Sequence, residues 1–530
     1  MAIVTDKLRI INCSNFINDL SGGSYYAFIG LPNSQSIYPN WDSTKPNPTD
    51  NTTYLNSYRE SILGIKQITS SDVVRVIPKI TWASGKKYDM YRHDYSVTNT
   101  SPVTSATRLY DSQFYVVNSE YRVYICINNG AIPALNIKSV VSTQEPLHTS
   151  TSPILESDGY MWKYLYTLSP ADVIKFDSTN YISVPNNWTT STNEDISRVR
   201  GSAVAGKIET ILIDDNSTLY PPFIPEGEEG GEIGVYTNVP IKGDGSGGLA
   251  TVKVDESGKV SKVTVINGGS GYTYATLDLN SVIQPTTVVT GNEKAIFNVI
   301  IPPDGGHGYN IYNELGAYRV LIYSRIENNP ANPDFIIGNQ FSRVGIIKDI
   351  YSKSSSSLFK ENTGSGVYAL KMNEDVTEDY DSTIIQPSTG AVGVLVSYDN
   401  TTKVLRYIQT RYQNIDTYKD SGNNVQINYP GPGYITGINT VTNYQTVEFD
   451  NSNITIGSNT YTINSTFGGT TGTNAVTVSG TDYYLGQTFY NGVSKPDINT
   501  KSGEIIYVDN RVSVTRSPQQ REDIKIILEF

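Results

Sequence analysis

The chain predicts a predominantly β protein with a few helices, an α+β arrangement, on three observations. Tyrosine is the commonest aromatic, 39 residues against 13 Phe and 4 Trp, alongside 44 Gly and only 17% charged residues, a mixture that favours strands and tight turns. Helix-start signals cluster in the first 200 residues, and short alternating apolar runs broken by Gly, Asn, Asp and Pro take over after Gly201. At 530 residues the chain exceeds one ordinary core and predicts two to four domains or one discontinuous assembly.

The elements follow in order. Thr5 is placed to cap a helix carrying Leu8, Ile11, Ile17 and Leu20, and Ser57 to precede a second with Ile62, Ile65 and Ile68, ending in the polar "TSSD". "FYVVNSEYRVYICIN", residues 114–128, reads as a hairpin whose second strand alternates Tyr121, Val123, Ile125 and Ile127. In "SDGYMWKYLYTLSPADVIKF", residues 157–176, Tyr160, Trp162, Tyr164 and Tyr166 fall on one strand face and Met161, Lys163, Leu165 and Thr167 on the other. Such a stripe packs against a neighbouring element more often than it binds a sugar or a base. Ser169, Pro170 and Asp172 then occupy N-cap, N1 and N3 of a short helix bearing Val173, Ile174 and Phe176.

Beyond Gly201 the hairpin signals repeat. Ala250, Val252 and Val254 share a face, a turn falls at Ser257 and Gly258, and Val263 and Val265 return. Residues 390–410 repeat the design, and both turns keep Asp, three residues, Lys, Val: Asp255, Lys259, Val260 and Asp399, Lys403, Val404. Residues 302–326 read as a Gly-rich turn, a helical turn and the apolar strand "YRVLIYSRI"; residues 421–485 keep a beat of "TVEF", "ITIG", "YTIN" and "AVTV".

With 40 basic against 52 acidic residues the net charge is −12, which argues against a dominant nucleic-acid surface and toward protein partners. Cys13 and Cys126 are the only cysteines and lack CxxC spacing, so two buried thiols are expected rather than a disulfide framework or a zinc site. The start "MAIVTDKLRI" has an early acid and no apolar h-region, and no apolar run reaches the ~18 residues of a membrane helix. The expectation is a soluble chain outside the Sec route.

Several stretches approach catalytic or ligand motifs and fall short. "GDGSGG", residues 243–248, sets an extra Gly between Asp244 and Ser246 compared with a trypsin-like nucleophile loop, and none of His93, His148 and His307 has a matching context. The same loop is too short for an EF-hand. "GGHG" with Asp304 supplies too few ligands for zinc, and "GGSGY", residues 268–272, lacks the GK[ST] and following helix of a phosphate cradle. "EGEEGGE", residues 226–232, reads as an acidic solvated loop. Asp42, Asp50, Glu156 and Asp158 lie in a Tyr- and Trp-bearing region, but spacing alone does not place a carboxylate pair for glycoside hydrolysis. No residue is assigned a catalytic, cofactor-binding or metal-binding role.

Four segments carry a resemblance: residues 157–176 followed by "NYISVP", then "DFIIGNQFSRVGIIKDI" at 334–350, and "SGEIIYVDNRVSVTRSPQQREDIKIILEF" at 502–530. Together they resemble the baseplate wedge protein of T-even-type contractile-tailed phages, the wedge subunit eight family. The resemblance covers residues 1–200, 302–350 and 500–530, while 201–300 and 351–499 depart from the shorter form and look like the expanded versions in phages of cyanobacteria. It implies a structural virion protein of the tail baseplate, made in the host cytoplasm, that holds a wedge together before sheath contraction and bears its rearrangement. It also implies a homodimer, other wedge proteins as neighbours, and no catalytic residue or cofactor; aromatics of Tyr88–Tyr95 or Tyr160–Tyr166 are available for the dimer's apolar centre.

The domain expectation is a discontinuous core with insertions: 1–200 as its N-terminal part, 201–300 an inserted β-module, 301–350 a return segment, 351–500 further β-modules, and 501–530 the strands completing it. Neither nucleic-acid binding nor membrane insertion is expected. Two alternatives of other classes remain: a host-glycan-binding tail or spike module, suggested by the Tyr-, Asn- and Gly-rich β region, and a tail-associated glycosidase.

Overall fold

The computed structural model describes residues 3–22, 24–32, 40–222, 234–288, 294–327, 340–355, 357–409, 417–420, 423–426, 448–516 and 521–530. Residues 226–232, 334–339, 410, 421–422, 427–447 and 517–520, singled out in the sequence, lie outside them. Strands dominate, thirty against six α-helices among the described residues. Contacts divide the chain into a first unit of Met1–Asn15, Val74–Leu321 and Ile527–Phe530, and a second of Phe16–Val73 and Ile322–Ile526.

The longest helix, Asp6–Gly22, starts as its cap indicates: Leu8 N–H donates to Thr5 Oγ1 at 3.3 Å. Its buried residues are Ile10, Cys13 and Leu20, whereas Leu8 and Ile11 are 45% and 46% exposed. The run Leu8-Arg9-Ile10-Ile11 offers apolar residues to two helix faces, and only packing chooses the stripe that continues through Cys13 and Leu20. The second expected helix does not form: Ser57 lies inside an earlier helix, Thr52–Glu60, whose cap Asn51 Oδ1 accepts from Tyr54 N–H at 2.9 Å, and Ile62–Gln67 is a strand. Ile62, Leu63, Gly64 and Ile65 are all buried, and a strand covered on both faces loses the period-two signal that distinguishes it from a helix. "TSSD" closes into a 3-10 turn in which Asp72 accepts from Thr69 N–H at 2.9 Å.

In the first unit the aromatic strand Met161–Thr167 lies inside an antiparallel sheet, ordered Tyr115–Val117, Arg122–Asn128, Met161–Thr167, Ile154–Leu155. The register sets Tyr124 opposite Tyr164 and Cys126 opposite Trp162. Tyr121, expected in the second strand of its hairpin, instead forms the turn at φ 57°. Ser169 Oγ accepts from Asp172 N–H at 3.0 Å and starts helix Pro170–Phe176; Phe176 is buried, but Ile174 is 78% exposed. A second core gathers around the sheet Val260–Ser270, Ser246–Val254, Val235–Gly243, Ala275–Leu277, with Ala250, Val252 and Val254 facing inward. The first and last residues also meet in this unit: Arg9 and Arg319 both pair with Glu529, at 3.7 and 2.9 Å, and Phe530 N–H donates to Tyr318 O at 3.2 Å.

The second unit holds a five-stranded sheet, ordered Thr363–Ser365, Ile62–Gln67, Tyr25–Gly30, Gln340–Lys348, Glu504–Thr515. Trp41 Nε1–H donates to Arg511 O at 2.9 Å and Asp42 Oδ1 accepts from Ser513 N–H at 2.8 Å, so two side chains satisfy backbone groups on the outer strand. A seven-stranded sheet centres on Ala391–Asp399 and Val404–Ile408. The two similarly spaced turns differ: positive φ falls on Gly258 in one and on Lys403 in the other.

Candidate functional site

The aromatic side chains that dominate the sequence are consumed by packing in the first unit. Tyr160 and Trp162 stack with centroids 5.3 Å apart, and Tyr88 meets both edge-on. The Tyr160 hydroxyl accepts from Tyr88 N–H at 2.9 Å and shares a 2.6 Å bond with Ser139 Oγ, while Tyr166 donates to Ser183 O at 3.0 Å. Burial pushes the Tyr160 hydroxyl up to about 12, so it stays neutral. Tyr88, Tyr91, Tyr160, Tyr164 and Tyr166 are all at most 5% exposed, which removes them both as a sugar platform and as the surface of a dimer contact. Lys163 and Leu165, on the opposite face, are buried too: the strand is covered on both sides.

The near-motifs resolve into local structure. The Asp244 carboxylate accepts from Thr273 Oγ1, Thr273 N–H and Tyr274 N–H at 2.5, 2.9 and 3.2 Å, bonds that hold it down to about 2 with the Thr273 hydroxyl foremost. Ser246 is exposed and pairs in the strand with Ser270. In "GGSGY" the need for glycine is a close approach: a Cβ on Gly268 would lie 2.2 Å from Ile208 O. Tyr272 is buried there, its hydroxyl accepting from Gly248 N–H at 3.1 Å and donating to Ile241 O at 2.9 Å.

The three histidines are engaged separately. His93 Nδ1 accepts from Ile301 N–H at 3.2 Å, and His148 lies edge-on to Tyr124 at 5.3 Å. His307 is not a free turn residue. It is 7% exposed, edge-on to Tyr91 at 4.7 Å, and its Nδ1 shares a 2.6 Å bond with Glu314 Oε1, while Gly308 N–H donates to Glu314 Oε2 at 2.7 Å. Glu314 escapes a sequence reading because it looks like an ordinary helix glutamate; its position four residues after Asn310, the cap of helix Ile311–Leu315, is the signal that turns it back toward the loop. Among the described residues no group of three or more His, Cys, Asp or Glu converges to hold a metal.

The carboxylates also serve structure. Asp158 accepts from Thr143 and Gln144 N–H at 2.8 and 2.9 Å and from Tyr160 N–H at 3.0 Å; burial first, and Asp158 second, push Glu156 up. Asp42 ties down Ser513, and Asp50 is exposed. A cleft of about 300 Å³ opens beside the aromatic strand, lined among others by Tyr164, Thr167, Asp172, Asn187 and Asp195, and a smaller recess of about 200 Å³ by Met90, Ala131, Pro133, Ile137 and Leu212. Of the residues lining the smaller recess, Ile137 is 37% exposed.

Buried cations fix the second unit. Arg343 lies 4.4 Å over Tyr58 and 5.7 Å from Trp41, donating to Asn510 Oδ1 at 2.9 Å and Ser61 Oγ at 2.8 Å, and burial lowers it to about 10. Glu448 bridges Lys353 and Lys495 at 2.8 and 2.7 Å. Through Asn510, Arg343 ties strand Gln340–Lys348 to strand Glu504–Thr515.

Fold and side chains thus define a multi-sheet, strand-rich protein whose polar groups are organised by packing. No family profile matches the chain. It is similar to the baseplate wedge protein gp8 of Enterobacteria phage T4, at 25% identity over 228 residues that cover 37% of this chain and 64% of that protein. The chain therefore spans just under two thirds of the length of this curated relative. No helix among the described residues is long and apolar enough to cross a membrane.

Proposed function

We propose that the chain is a structural virion protein of a contractile phage tail, seated in the baseplate wedge, where it scaffolds wedge assembly and bears the rearrangement that accompanies sheath contraction. The observation that carries this reading is the similarity to gp8 over 228 residues. The roles found for Asp244, Asp158 and His307, each committed to neighbouring backbone or side-chain groups, support a scaffold over an enzyme. The same reading makes the chain a homodimer with other wedge proteins as neighbours, acting without cofactor, nucleic acid or membrane insertion, and makes its additional β-modules those of an expanded wedge protein.

A cryo-electron map of intact tails tests it. The expected result is density for this chain in the baseplate, against other wedge proteins; virions whose baseplates lack it overturn the assignment.

A further inference from the structure

One buried cation of the second unit stands without a partner. Arg75, Arg92, Arg343, Arg406 and Arg516 are all buried. Arg75 bonds to Cys13 and Ser14, Arg92 to Asp94, Arg343 to Asn510 and Ser61, and Arg516 to Glu522. Arg406, 6% exposed, has neither a hydrogen bond nor an ion pair among the described residues, and its Nε is sealed from solvent.

The register shows what surrounds it. Arg406 lies opposite Ser397 on one side and Ala369 on the other, and Ala369 lies opposite Ser494. Directly opposed residues share a face, so these four form one row across the seven-stranded sheet. The alanine leaves the row low between Arg406 and Ser494, whose Cα atoms are about 10 Å apart by the strand spacing. Ser494 is fully buried and its Oγ has no partner. The hairpin of Thr473–Val478 and Thr481–Phe489 covers this face, with Leu485 and Phe489 packed against Ala369 and Val404. Between them on the strand, Gln487 donates Nε2–H to Val367 O at 2.7 Å, which fixes its amide and leaves Oε1 unpartnered.

The charges on this face do not balance. The next row holds Asp399, Val404 and Lys371. Lys371 is also buried and bonds to Thr402 O, while Asp399 accepts from Thr401 N–H at 2.9 Å and Thr402 Oγ1 at 2.8 Å. Two buried cations thus share one carboxylate that is committed to its own turn. In the covering segment, residues 465–494, the single charge is Asp482, which accepts from Thr477 Oγ1 at 2.6 Å near the hairpin tip. Burial lowers Arg406 to about 10, with Asp399 opposing, so the guanidinium is charged at neutral pH. A buried charge is costly unless it is paired.

We propose that the space over Ala369 is a binding site for a small monovalent anion such as chloride, held by the Arg406 guanidinium and the Ser494 hydroxyl, which ties the hairpin to the sheet beneath it. A water satisfies the donors and leaves the charge unbalanced, whereas an anion does both. One guanidinium balances one negative charge, and a gap one alanine wide favours a compact ion. Gln487 Oε1, an acceptor, is served by a water that also donates to the ion.

Thermal unfolding of the full chain in gluconate, too bulky for the gap, with chloride exchanged in stepwise at fixed ionic strength, tests the site. The expected result is a saturable rise in melting temperature of about 2–4 °C. Arg406→Met is expected to lose this response and to melt no lower than the wild type in gluconate, because an apolar side chain replaces an unbalanced charge. Ser494→Ala is expected to raise the half-saturating chloride concentration about tenfold, through one lost bond to a charged group. Crystals grown in bromide give a readout that needs no variant, an anomalous peak between Arg406 and Ser494. A wild type indifferent to chloride, or an Arg406→Met protein that still responds, overturns the site. A bromide peak without a chloride response means binding at crystal concentration only and overturns it as well. The site goes beyond the wedge reading, on which the tail map alone bears.

Discussion

Removing the His307 ring is expected to cost the first unit far more than removing the Ser246 hydroxyl, although both lie in Gly-rich loops. His307→Ala leaves Glu314, 1% exposed, with Gly308 N–H as its remaining bond, and an under-satisfied buried carboxylate costs about 2–4 kcal/mol. Ser246→Ala, at an exposed strand end, is expected to stay within about 0.5 kcal/mol. Urea unfolding midpoints of the two variants check this, and equal midpoints would contradict the buried pair. Glu448 supplies a pH dependence. Burial opposes its ionisation, but hydrogen bonds and charge from Lys353 and Lys495 prevail and hold it down to about 2. Its folded value is lower than its unfolded one, near 4.3, so its contribution is present above that unfolded value and is lost as pH falls toward 2. Lys495 is largely exposed, so Glu448→Gln is expected to remove only about 1 kcal/mol at neutral pH and to flatten the acid limb of stability measured between these values.

At the scale of elements, caps and half-buried strands follow local rules, and doubly covered strands do not. Ser169→Ala is expected to cost about 1 kcal/mol through the lost bond to Asp172 N–H, whereas Ile174→Asp, on the exposed side of the same helix, is expected to be nearly neutral. Thermal or urea unfolding of the pair distinguishes them; a large loss at Ile174 would mean that its face is covered in solution. The hairpin at Ala250, Val252 and Val254 was legible because solvent on one side imposes alternation. Ile62–Gln67 was not, because burial on both faces erased the period, and the choice of Ile10 over Ile11 in the first helix depended on neighbours far along the chain.

For the whole molecule, the charge of −12 leads to the expectation that duplex DNA is not retained by the purified protein at physiological salt, since non-specific binding rests on many Lys and Arg contacts to phosphate. Retention that weakens steeply with added salt would contradict it. Composition and turn chemistry by themselves determined the strand-rich class, the Thr5 and Ser169 caps and the hairpins, because propensity, capping and half-burial act within a few residues. Only the tertiary structure decided that the Tyr160–Tyr166 stripe is interior, that His307 belongs with Glu314, and that Arg343 sits over Tyr58. Each of these depends on which strands become neighbours, and long-range pairing is set by the burial of whole faces, a quantity no short stretch of sequence contains.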